Sequence, residues 1–162
     1  MTSPTEELED RMFTVGMICA QWAYLEYLFA SAIWVTLNIP HDAGKIVTGG
    51  LDMKGRAVMA VRIAEERKKP RDLIAGLATA QKAVLELLDE RNLIVHGTGE
   101  LRPDGHTYYE VHREPMRGEP EHVSLIRVHS LASAIDGIVA KLEPVLLKHG
   151  IIEMPPQPGS SR

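Results

Sequence analysis

The run from Met12 to Leu37 limits the choice of fold more than any other segment, because it is long enough to cross a bilayer yet carries one charged side chain, Glu26. A carboxylate near the middle of such a run is costly in lipid. Gln21 and two threonines dilute the stretch, and no basic cluster flanks its end. A central helix packed on several sides accommodates these features better. Trp22, Glu26, Phe29, Ile33 and Leu37 recur at helical spacing, so Glu26 shares a stripe with large core residues. A carboxylate in that position requires a charged or hydrogen-bonding partner.

Helix boundaries can be read around this core. Ser3 is placed to cap the first helix, with Pro4 at its first position and Glu6 closing a capping box, and Asn38 and Pro40 end it near Leu37. Asp42 to Thr48 reads as a short helical turn ended by Gly49-Gly50. Asp52 then caps a helix to about Lys68, with Ala57, Val58 and Val61 inward, and Pro70 breaks the chain. The next helix, from about Arg71 to His96, is the best defined, with Leu73, Leu77, Ala80, Val84 and Leu88 in steps of three and four.

Beyond Gly97 the pattern changes. Gly99, Pro103 and Gly105 suggest a loop; Thr107–Arg113 and His122–Val128 are rich in β-formers and read as a hairpin joined by an acidic loop. Ser130 is placed to cap a last helix bearing Leu131, Ile135, Ile138, Leu142 and Val145, ending at Gly150. Residues 154–162 read as a disordered tail. The expected fold is mainly α: a single domain over residues 1–153, a bundle of four to five helices with a β-hairpin inserted before the last.

The formal net charge of −4 gives no global attraction to nucleic acid. Lys and Arg do concentrate between Lys45 and Arg71, and Arg67-Lys68-Lys69-Pro70-Arg71 is densest; a solvated inter-helix loop accounts for it more simply than an RNA-backbone contact. The one cysteine, Cys19, lies in an apolar stretch and reads as a small buried hydrophobe. The N-terminus is acidic at Glu6, Glu7 and Glu9, unlike a signal peptide, so a cytoplasmic setting is expected.

Past Leu88, the stripe of the Arg71–His96 helix continues into Arg91, Asn92 and Val95, so its core-facing side turns polar. Arg91 and His96 lie about 140° apart on a regular helix, yet the length of the arginine lets them converge on one ligand. Gly97 suits the left-handed residue that terminates a helix, and the helix dipole there favours an imidazolium at His96. Without a metal, these side chains can support RNA cleavage by its own 2′-hydroxyl. A histidine moves the proton, an arginine holds the non-bridging phosphate oxygens, and an asparagine orients either. A twofold dimer would supply a second histidine.

At these residues the sequence resembles the HEPN superfamily, all-helical domains marked by an Arg and a His separated by four to six residues. Asp89-Glu90-Arg91-Asn92-Leu93-Ile94-Val95-His96-Gly97 is similar to that motif, and the helix with Trp22, Glu26 and Tyr27 is similar to the family's first core helix. The resemblance covers most of the chain by helix order, and only the short motif is specific. It implies a metal-independent endoribonuclease acting as a homodimer on RNA, without a cofactor. Arg91 and His96 would be catalytic and Asn92 supporting, and an antitoxin partner is implied where such domains act in toxin–antitoxin or defence systems. Other members are non-catalytic dimerisation or ligand-binding modules. The residues alone leave that alternative open: Arg91 would pair with Glu26 and His96 would cap the helix. A Glu26–Arg91 pair is also compatible with catalysis, the carboxylate orienting the guanidinium. His106, His112, His122 and His129 complete no recognised metal set and read as surface residues.

Overall fold

The computed structural model describes residues 4–96, 98–101, 107–110 and 121–153, and side chains within 5–96 and 123–153. Among the described residues there are five helices: α1 Pro4–Leu37, α2 His41–Gly49, α3 Met53–Glu66, α4 Arg71–His96 and α5 Leu125–Lys148. Three short strands, β1 Thr98–Leu101, β2 Thr107–Glu110 and β3 Glu121–His122, lie between α4 and α5. The chain is mainly helical, and no helix of the described residues is long and apolar enough to cross a membrane. It divides into two compact units, Met1–Ala23 with Ala83–Ile138 and Tyr24–Lys82 with Val139–Arg162.

In the second unit, α1 buries Leu25, Leu28, Phe29, Ala30, Ala32, Ile33 and Trp34, almost its whole circumference. The inward face of α3 is mostly alanine: Ala57, Ala60 and Ala64, with Met53 and Val61. Asp52 caps α3 as expected, accepting from the Gly55 N–H at 2.7 Å. Asn38 ends α1 at φ 55°, with the Asn38 and Ile39 N–H groups returning to Val35 and Trp34 carbonyls at 3.2 and 3.0 Å. Lys68 and Gly150 end α3 and α5 with the same pair of backbone bonds, and both have positive φ. At the far ends of α4 and α5, the Lys148 ammonium and then His149 hold the Asp72 carboxyl well below the usual range.

Helix α2 lies against Trp34 through a bare backbone. A Cβ at Gly44 would stand 2.5 Å from the indole, while the Trp34 N–H donates to the Thr48 hydroxyl at 3.2 Å and that hydroxyl donates to the Gly44 carbonyl at 3.0 Å. The Tyr24 hydroxyl donates to Glu143 at 2.7 Å; burial first, then that bond and charge, push the phenol up to about 12.

In the first unit, Ile18 and Trp22 of α1, Val84 and Ile94 of α4, and Val128, Leu131, Ile135 and Ile138 of α5 are buried. Arg11 is buried too, at 3% exposure, and donates to the Val123 carbonyl at 3.0 Å. The strands form an antiparallel sheet in the order β1-β2-β3, with Thr98 facing Glu110 and Tyr108 facing His122.

The hairpin expected of Thr107–Arg113 against His122–Val128 is not formed over that length: β2 meets β3 at Tyr108 and His122, and beyond His122 the second run is not a strand. Ser124 opens α5, its hydroxyl accepting from the Arg127 N–H, so residues 125–128 are helical, with Val128 on the buried face and Ile126 exposed. Burial of Val128, Leu131 and Ile135 on that face outweighs the β-propensity of the segment. Ser130 is therefore no cap; its hydroxyl donates to the Ile126 carbonyl one turn back, at 2.8 Å. Part of the expected loop, Thr98–Leu101, is a strand. Cys19, Leu88 and Val145 are half-buried rather than buried. Ser3, Gly97, Pro103, Gly105, His106, the 111–120 connection with His112, and the 154–162 tail lie outside the described residues.

Gly44→Ala should lower unfolding free energy by about 1–3 kcal/mol in a denaturant titration, since α2 must back away from the indole. The Tyr24 phenol ionises near 10 in the unfolded chain and only near 12 in the folded one, so its contribution is complete below 10 and lost as pH rises to 12. Tyr24→Phe should flatten stability against pH across that window.

Candidate functional site

Arg91, Asn92 and His96 all belong to the last turns of α4, in the first unit. Leu73, Leu77, Ala80 and Val84 are buried along the helix; Leu88, Arg91 and Asn92 are half-buried, and His96 is exposed. The apolar anchor of the final turn is Ile94, 2% exposed, which leaves the flanking polar side chains at the rim of the core.

These three residues come together. The Arg91 Nη1 donates to the Asn92 side-chain carbonyl at 3.2 Å and meets His96 Nε2 at 2.8 Å. A guanidinium has donors and no acceptor, so for this contact to be a hydrogen bond Nε2 must offer its lone pair, with the imidazole proton on Nδ1. That lone pair is taken up by the guanidinium, so the ring could accept a proton only once Arg91 Nη1 turned to another acceptor. The same guanidinium lies over Trp22, with Cζ 5.2 Å from the ring centroid, within range of a cation–π contact. Its Nε is buried without a hydrogen-bond partner among the described residues.

Glu26, expected beside Arg91, has a different partner. It accepts from Arg56 Nη1 at 2.6 Å within the second unit, and Arg56 also donates through Nε and Nη2 to the Thr48 carbonyl, at 3.3 Å each. One guanidinium thus serves a half-buried carboxylate and the carbonyl end of α2 together. Arg56 could have been identified from the sequence, since it falls beside Met53, Ala57 and Ala60 on the inward face of α3.

Two further contributors were not legible. Trp22 was visible as a core residue but not as the surface on which Arg91 lies. Glu90, directly before Arg91, takes Arg127 of α5 in a two-pronged pair through Nε and Nη2. The helix-face spacing flags Glu90 as polar and half-exposed; its partner belongs to a segment that sequence pattern assigns to a strand. Among the described residues there is no group of three or more His, Cys, Asp or Glu placed to hold a metal ion. His129 instead bonds Asp10 at 3.0 Å.

No family model, curated protein or solved structure matches this chain.

The Glu90–Arg127 pair should fasten the end of α4 that carries Arg91. In a double-mutant cycle of Glu90→Gln and Arg127→Gln, a coupling of about 1 kcal/mol is expected, with faster amide exchange at residues 94–96 in each single variant. Additive losses would show that the pair contributes nothing there.

Proposed function

We propose that the chain is a metal-independent endoribonuclease of HEPN type, with Arg91 and His96 as its catalytic groups and Asn92 in support. The observation that carries this reading is the 2.8 Å contact between Arg91 Nη1 and His96 Nε2 at the end of α4. It joins an anion-binding fork to a neutral imidazole, the two elements that transesterification of RNA requires.

In the proposed reaction a phosphodiester enters the fork and draws Nη1 from Nε2. His96 Nε2 then takes the proton of the 2′-hydroxyl, O2′ bonds to phosphorus, and the P–O5′ bond breaks. The products are a 2′,3′-cyclic phosphate and a 5′-hydroxyl once the leaving oxygen is protonated. Arg91 stabilises the charge that grows on the non-bridging oxygens. One histidine supplies one proton transfer, so a homodimer is part of the reading, the second His96 entering the step as an imidazolium whose Nε2 proton goes to the leaving oxygen. Leu8, Met12, Phe13 and Met17 on α1 support a partner subunit: they are large, apolar and between 42% and 70% exposed in the same unit as the motif. A cytoplasmic setting and a cognate antitoxin belong to the same proposal.

The second reading, a non-catalytic dimerisation or RNA-binding module, is favoured by the internal pairing of Arg91 Nη1 with His96 Nε2, which occupies the nitrogen that catalysis would need free.

Pure protein should cleave single-stranded RNA with EDTA present and leave 2′,3′-cyclic phosphate ends. His96→Ala and Arg91→Ala should each reduce cleavage by at least about a hundredfold, with the circular dichroism spectrum unchanged. Undiminished cleavage by the His96→Ala protein overturns the proposal, and intact RNA with the wild-type protein favours the module.

A further inference from the structure

We infer that Trp22 is a positioning residue for the Arg91–His96 pair: its ring face, in place of a carboxylate, fixes the guanidinium where Nη1 meets His96 Nε2.

Arg91 and His96 are five positions apart and diverge by about 140° on a regular helix, so their contact requires the arginine to turn around the helix and stay there. Free in solvent, a side chain this long visits many rotamers. Its hydrogen bonds do not account for the restraint. Nη1 reaches the adjacent Asn92 at 3.2 Å, and Nε is buried with no acceptor among the described residues. What faces the guanidinium is the indole, 5.2 Å from Cζ, and Trp22 is itself 2% exposed, held within the core of its unit. A plane held in place can orient another plane.

The choice of an aromatic surface has a chemical consequence. A carboxylate in the same place would occupy the N–H groups of the fork and cancel its charge. A ring face attracts the cation through its quadrupole and leaves the N–H edge and the net charge for an anion. The role of Trp22 in turnover rests on the nuclease reading; its role in geometry does not.

The experiment uses isotope-labelled full-length protein. In the wild type, the Arg91 Nε–H signal should lie upfield of a free arginine, from the ring current, and exchange slowly with water, and His96 should be the Nδ1–H tautomer. Trp22→Phe keeps a ring face and should retain all three signatures. Trp22→Leu should lose the upfield shift and leave His96 a tautomer mixture. In RNA cleavage it should lower kcat by about tenfold or more while KM changes by less than about threefold, with Trp22→Phe restoring most of kcat. Should Trp22→Leu not fold, Arg91→Lys serves instead: it keeps the charge without the plane, and should lose the His96 tautomer preference.

An unshifted Arg91 Nε–H in the wild type overturns the inference, as does an unchanged His96 tautomer in folded Trp22→Leu or, failing that variant, in Arg91→Lys. If the signatures follow Trp22 while the wild type leaves RNA intact, the positioning role stands and the nuclease reading falls. Cleavage that is indifferent to Trp22, with the signatures unchanged, does the reverse.

Discussion

A carboxylate set in an otherwise apolar helix must find a cation, and which cation it takes decides what the remaining charged groups are free to do. Glu26 takes Arg56, and both are half-buried, at 31% and 18% side-chain exposure. Partial solvation lowers the desolvation cost, and the pair gains from sharing Arg56 with the Thr48 carbonyl. Arg91 is thereby relieved of a structural duty that the helix pattern alone would assign to it. Its described partners are a neutral amide, a neutral imidazole and an aromatic face, none of which cancels its charge. A cation in neutral company, close to the surface, is an arrangement suited to an anionic ligand.

That distinction shows why the sequence was informative about helices and less so about pairs. Pro4, Asn38, Asp52 and the limits of α4 at Arg71 and His96 are local signals, since backbone geometry and capping act over a few residues. The partner of Glu26 is a tertiary fact. Period and burial narrow the choice to cations on inward faces, where both Arg56 and Arg91 qualify, and only packing selects between them. The start of α5 failed for another reason. Val123 to Val128 carries strand-forming side chains, yet Ser124 caps a helix that starts at Leu125, and Val128, Leu131 and Ile135 form its buried face.

The candidate site was legible in its composition and not in its support. Arg91, Asn92 and His96 stand out because a core-facing stripe turns polar, and the structure does bring them into contact. Trp22 and the Glu90–Arg127 pair come from other helices, and nothing in the periodicity of α4 points to them. A short sequence motif therefore names the candidate groups while the residues that hold them in register remain dispersed along the chain.

Both compact units are discontinuous in sequence, and α5 contributes to each, Leu125–Ile138 to one and Val139–Lys148 to the other. During synthesis neither can close until this last helix has left the ribosome, so most of α1, with its wide apolar circumference, emerges well before its packing partners. Completion of both units thus waits on α5, although most of their residues precede it in the chain.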